Sequence, residues 1–190
     1  MKNIIYLLFI FFSFSNFNVF SRGNNINNID DLFFNKISFS FQYGGLMSGI
    51  KKEDFVKSNY SPVYRLSIIK NLNKKLEARI GYQGNFFLLI SDDLIHKYDF
   101  YFFDYILNVN NLFFKSNNVN TFNIHLGSGL LYNHFYQGFN FCGTLGFMQK
   151  VYLNSSFTFI LDFTSVLGWD IYQGDEDILP SLSFGLIYYL

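Results

Sequence analysis

Between Lys36 and Gly45 the chain places Ile37, Phe39, Phe41 and Tyr43 at every second position, with Ser38, Ser40, Gln42 and Gly44 between them. Successive side chains of a β-strand point to opposite faces, so a period of two makes one face apolar and the other polar. A helix would scatter the four large side chains around its circumference. The pattern returns along the whole chain. Pro62–Lys70 sets Tyr64, Leu66 and Ile68 against Arg65, Ser67 and Ile69, and Leu76–Gly84 sets Leu76, Ala78, Ile80 and Tyr82 against Glu77, Arg79, Gly81 and Gln83. Asp99–Val109, Thr121–Tyr132, Phe139–Gln149, Phe157–Thr164 and Ser181–Leu190 repeat it, which makes eight strands. A chain of 190 residues holds one domain of this kind.

The links between strands sort into two kinds. Asn71–Lys75, Asn110–Asn120 and Lys150–Ser156 read as turns rich in Asn, Ser and Lys. Leu46–Ser61, Asn85–Tyr98 and Ser165–Leu179 read as longer loops, with Asn133–Gly138 a brief link in the same series. Alternating short and long links suit an up-and-down barrel with periplasmic turns and outer loops, and an even strand number puts both termini on the periplasmic side.

Alternation alone does not say which face looks inward, because a ligand-binding barrel in water would enclose the apolar face. Side-chain size separates the two. Gly44, Gly81, Gly127, Gly129, Gly146 and Gly185 share the polar face with many Ser, Thr and Asn residues, whereas Phe, Tyr, Leu and Ile dominate the other. Eight strands enclose a narrow interior, so small residues belong on the concave side. The polar face is therefore read as the lumen and the apolar face as the one that meets lipid. Composition agrees: 50% of residues are hydrophobic and only 15% charged, too few charges to cover a water-facing surface. After the first twenty residues no apolar run is long enough for a membrane helix, which leaves strands to make the crossing. A net charge of +0 gives no basic face for nucleic acid.

The first residues look like a targeting segment. Lys2 precedes an apolar stretch from Ile4 to Phe14, and Val19-Phe20-Ser21 supplies residues suited to cleavage before Arg22. The organisation read from the sequence is a signal peptide at 1–21, a polar lead at 22–35 and a barrel at 36–190. The fold class is thus all-β: an eight-stranded antiparallel up-and-down transmembrane β-barrel after a cleavable signal peptide.

Chemistry-bearing residues are few. Arg65, Glu77, Arg79, Asp104, His125 and Asp162 fall on the lumen face, where isolated charges are expensive and must be paired or hydrated. Arg65, Glu77 and Arg79, on adjacent strands, come within reach of one another, and the group reads as a salt-bridged plug, or alternatively as the lining of a narrow pore. Tyr43, Tyr64, Tyr82, Tyr132 and Tyr188 lie near strand ends, where apolar rings with polar tips form interfacial girdles. His96 with Ser91, Asp92 and Asp93, and His134, are loop residues that a catalytic unit could recruit, but solvated surface is the favoured reading. Asp170, Asp175, Glu176 and Asp177 lack the ordered spacing of a calcium loop. Cys142, the one cysteine, faces the lumen by phase and reads as a packing residue. No catalytic, cofactor or metal site is assigned.

Three segments resemble the outer-membrane β-barrel family that contains OmpA-type and OmpX-type domains: LEARIGYQG at Leu76–Gly84, FNIHLGSGL at Phe122–Leu130 and SFGLIYYL at Ser183–Leu190. The stretch from Tyr60 to Leu190 follows that layout most closely. The closing alternation of Phe184, Leu186, Tyr188 and Leu190 resembles the signal read by outer-membrane assembly machinery. The resemblance implies an outer-membrane location, with membrane lipid, lipopolysaccharide and the assembly machinery as partners. Members of the OmpA type often continue into a peptidoglycan-binding domain, whereas this chain runs to Leu190. The expected role is that of a monomeric structural or surface barrel, not an enzyme, whose outer loops meet partners or support the envelope. The alternatives are a small pore and a loop-site enzyme acting on lipid A or peptide.

Overall fold

The computed structural model describes residues 36–47, 60–91, 94–110, 119–169 and 176–190, and the side chains among them except those of 85–91, 94–96, 169 and 176–177. The leader at 1–21, the lead at 22–35, and the residues Asp92, Asp93, Asp170 and Asp175 lie outside the described residues. Eight strands follow one another: β1 (Ile37–Met47), β2 (Tyr60–Asn71), β3 (Leu76–Ser91), β4 (Leu94–Asn108), β5 (Asn120–Asn133), β6 (Gly138–Tyr152), β7 (Phe157–Trp169) and β8 (Glu176–Tyr189). Each pairs antiparallel with its neighbours in sequence, and β8 returns to β1 to close the barrel. Closure leaves no edge strand to seek a partner.

Turn chemistry follows the local sequence. Asn73 Oδ1 accepts the backbone N–H of Lys75 and Leu76 at 2.8 and 3.0 Å, and Asn154 Oδ1 accepts those of Ser156 and Phe157, both at 2.9 Å. The two turns, at the end that carries the termini, therefore use the same asparagine device. Both prolines sit inside strands, each where one neighbour is missing. Pro62 lies beyond the last β2–β3 pair, Tyr64↔Gly84, and Pro180 beyond the last β8–β1 pair, Ser181↔Leu46. A residue without an N–H interrupts no ladder there.

The stretch Asn85–Tyr98 is not the loop that the sequence suggested. β3 and β4 remain paired from Leu76↔Leu107 to Ser91↔Leu94, with a register shift between Gln83 and Phe86. Alternation fades in the apolar run NFFLLI, so the period-two signal stops while the strand continues. The loop expected at Ser165–Leu179 shortens in the same way, because β7 runs to Trp169 and β8 starts at Glu176. Lys150, read as a turn residue, belongs to β6.

Burial is inverted relative to a protein that folds in water. Large apolar side chains point outward and stay open, as at Phe41 (55% exposed), Ile80 (60%), Leu126 (62%) and Phe141 (70%), while Gln42, Arg79, His125 and Asp162 are fully buried inside. Contiguous apolar surface on this scale is foreign to soluble monomers. The inside is not uniformly polar, which corrects the reading of the lumen. Towards the end opposite the termini it holds a buried apolar cluster that includes Leu46, Val63, Tyr98, Phe100, Phe102 and Leu131. Towards the termini it holds a second, of Ile69, Ile106, Met148, Ile160, Ile187 and Tyr189. A barrel this narrow must fill its axis with side chains at interior packing density, and aliphatic groups do that without requiring hydrogen-bond partners.

Candidate functional site

Between the two apolar layers lies a fully enclosed ionic layer. Inward phase on four strands brings together Arg65 of β2, Arg79 of β3, Asp104 of β4 and Asp162 of β7, and β5 adds His125. Arg65 Nη1 donates to Asp162 Oδ2 and Thr164 Oγ1, both at 3.0 Å, and Arg65 Nε donates to Gln83 Oε1 at 3.1 Å. Arg79 bridges the carboxylates. Its Nη1 reaches Asp162 Oδ2 at 2.9 Å, while Nε (3.1 Å) and Nη2 both donate to Asp104 Oδ2. Thr144 donates to Asp104 Oδ1 at 2.6 Å, and Thr164 to Asp162 Oδ1 at 2.9 Å. Such charge-assisted, multiply bonded pairs are the geometry in which buried ions are tolerable.

His125 completes the layer. Its Nε2 lies 2.9 Å from Asp162 Oδ1, and its Nδ1 lies 3.3 Å from Arg79 Nη2 and 3.5 Å from Asp104 Oδ2. In the layer two guanidinium groups face two carboxylates around this ring. Phe102 joins it to the apolar layer beyond: its ring lies 5.4 Å from the Arg65 guanidinium carbon and 5.2 Å from that of Arg79. Cation–π attraction works there without competition from water.

Two glycines make the layer possible. A Cβ at Gly146 would collide with the His125 ring, and one at Gly127 with the Asp104 carboxylate and the backbone at Phe103. Gly81 and Gly129 make room in the same way for Phe102 and Phe100, whereas a Cβ at Gly44 or Gly185 would meet the backbone of a neighbouring strand.

Of the six lumen residues singled out in the sequence, five meet in this layer and Glu77 does not. Glu77 pairs with Lys150 Nζ at 2.5 Å, nearer the termini, apart from Arg65 and Arg79. Lys150 was missed, although it continues the inward phase of Cys142, Thr144, Gly146 and Met148. The polar partners Gln83, Thr144 and Thr164 were visible as lumen residues but not as ligands of these charges. Cys142 is buried in the apolar layer away from the termini.

The girdle tyrosines face outward. Tyr43 is opposite Tyr64, the rings of Tyr64 and Tyr82 lie 5.9 Å apart, and Tyr101, not singled out before, lies 5.3 Å from Tyr82. Tyr132 packs against Phe139 at 4.8 Å, and Tyr188 packs near the termini against Phe157 at 5.2 Å. Beside this row Asp99 accepts from Tyr82 Oη at 2.7 Å and holds His134 Nε2 at 2.8 Å, with the His134 ring edge-on to Tyr132 at 4.9 Å. The described part of this outer cluster contains no nucleophile poised on the imidazole. His96 and Ser91, the other histidine and serine considered for catalysis, are described in backbone only, as are Glu176 and Asp177. Among the described residues, no group of three or more His, Cys, Asp or Glu side chains is arranged to hold a metal ion.

No protein-family model matches the sequence, and no curated protein matches it. Solved structures do match. Neisserial surface protein A is 11% identical over 80% of this chain and 95% of that chain, with a TM-score of 0.58. Ail, the attachment invasion locus protein of Yersinia pestis, solved with the heparin analogue sucrose octasulfate, is 11% identical over 83% of this chain and 99% of that chain, with a TM-score of 0.50. At such identities the likeness is one of fold. The fold is that of the small eight-stranded outer-membrane barrels, closed and antiparallel throughout.

Proposed function

We propose that this chain is a surface barrel of a Gram-negative-type outer membrane whose wall anchors it in lipid and whose lumen is shut by its own side chains. The observation that carries this reading is the three-layer filling of the interior, with the fully buried Arg79–Asp104–Asp162 cluster between two apolar layers. A water-filled pore needs a hydrated path along the axis, and ionic groups with every strong bond made within the protein leave little for a permeating ion to replace. The apolar exterior supports lipid as its surroundings. The outward carboxylate of Asp99, satisfied by Tyr82 and His134, suits the headgroup level, where charge and tyrosine tips stay wet.

On this reading residues 1–21 direct export, the alternating last strand is read by the assembly machinery, and both termini stay in the periplasm. The lipid and lipopolysaccharide of the membrane surround a monomer. With the lumen closed, interaction falls to the links opposite the termini, at 48–59, 134–137 and 170–175, and to the β3–β4 hairpin tip. The names of the two fold neighbours, a surface protein and an attachment invasion locus protein, are in keeping with this role, and neither names a reaction. The test is conductance of the purified full-length barrel in a planar lipid bilayer. The closed lumen gives a trace at the lipid baseline; stable stepwise currents would replace the scaffold with a small pore.

A further inference from the structure

We propose that the outer wall carries a binding site for one anionic phospholipid, with an acyl chain in a groove across β1, β2 and β3 and the phosphate at lysines where β2 turns into β3. The site rests on the reading of this wall as lipid-facing. Two outward rungs make the groove, Phe39–Ile68–Ile80 and Phe41–Leu66–Tyr82, each set by the β1–β2 and β2–β3 registers. The rings of Phe39 and Phe41 on one flank and of Tyr82 on the other stand above the shorter Leu66, Ile68 and Ile80. Tyr82 is held in place by its bond to Asp99 at 2.7 Å. Ser40, Ser67 and Gly81, whose side of the sheet is the lumen, complete the lining between the rungs. The groove has a volume of 710 Å³. A water in the liquid takes about 30 Å³, and a methylene group is of similar size, so one acyl chain fits.

One rung nearer the termini the chemistry changes. Lys70 takes the outward position on β2, between Ile37 of β1 and Ala78 of β3, and is half-buried. Lys74 and Lys75 are exposed in the turn beyond it, whose shape Asn73 fixes. Glu77, the one carboxylate side chain described at this end, is turned inward onto Lys150. Three cations therefore stand at one mouth of an apolar groove. Lysines beside a membrane attract anionic headgroups, and their stems can lie along the apolar wall while the ammonium reaches the phosphate. An anionic phospholipid matches both halves of the site. A second barrel laid against the wall would cover the groove but bring another apolar face, with no anion for the lysines.

Native mass spectrometry of the full barrel, released from nanodiscs of equal phosphatidylglycerol and phosphatidylcholine, tests it. The barrel is expected to keep one phosphatidylglycerol in preference to phosphatidylcholine. Ile68→Trp, which fills the groove, is expected to abolish that retention. Lys70→Gln is expected to lower it about fivefold while leaving the wall intact. Equal retention of the two lipids, retention of neither, or retention untouched by both substitutions overturns the site, as does a dimer with no lipid bound. A barrel that enters the nanodisc without preferring phosphatidylglycerol refutes this site alone. One that does not enter refutes the lipid-facing wall on which it rests.

Discussion

Replacing Arg79 with Met is expected to destabilise the barrel by about 3–5 kcal/mol, the cost of leaving buried charge uncompensated. Arg79 contributes Nε and Nη2 to Asp104 and Nη1 to Asp162, so its loss strips Asp104 of its guanidinium partner and leaves it Thr144 and, at 3.5 Å, His125 Nδ1. Asp162 is less affected, because Arg65 and His125 still hold it. The companion variant Arg79→Met with Asp104→Leu removes both members of the tightest pair and is expected to recover most of the loss, since buried ion pairs exchange well for apolar groups of similar volume. The midpoint of reversible urea unfolding in detergent micelles reads both effects. A single variant within about 1 kcal/mol of the parent would mean that water reaches the layer and solvates the carboxylates, which contradicts a closed lumen.

Ile80→Lys addresses the opposite face. Ile80 is outward on β3, opposite Ile68 of β2 and Phe103 of β4, between the turn at Lys75 and the Tyr82 row. In hydrocarbon a lysine at mid-depth costs about 2–4 kcal/mol, whereas an exposed surface substitution in water changes stability by about 0.5 kcal/mol at most. Lys97, on the same outward face of β4 but beyond Asp99, is exposed towards the far end, where a lysine costs little. Folding into phosphatidylcholine vesicles, followed by urea titration, is expected to rank Ile80→Lys well below the parent. Equal midpoints would mean that the wall faces water.

The wall was legible because it obeys a local rule. Period-two alternation from Ile37 to Tyr43 is written in adjacent residues, and so is the asparagine of each short turn. The inward direction was legible too, through glycines such as Gly146 that make room for a ring on the next strand. The pairings inside were not. Arg65 and Asp162 are 97 residues apart and Arg79 and Asp162 are 83 apart, and they meet only because the barrel curves β2 and β3 towards β7. For the same reason Glu77 was grouped with its near neighbours in sequence rather than with Lys150. The apolar layers were obscured because Leu46 and Leu179 fell in stretches read as loops, where alternation was not sought. The β3–β4 extension escaped because an apolar run without polar intervals carries no period.

The most direct measurement is the electrophoretic behaviour of the protein in outer-membrane fractions, with and without boiling. A closed barrel embedded in lipid resists detergent until heated, because its ladders have no free end at which to fray and its interior is filled with packed side chains. The expected result is one mobility in the unboiled sample and another, that of the unfolded chain without its export segment, after boiling. Recovery in the soluble fraction, or a single mobility regardless of heating, would contradict a membrane-spanning closed barrel.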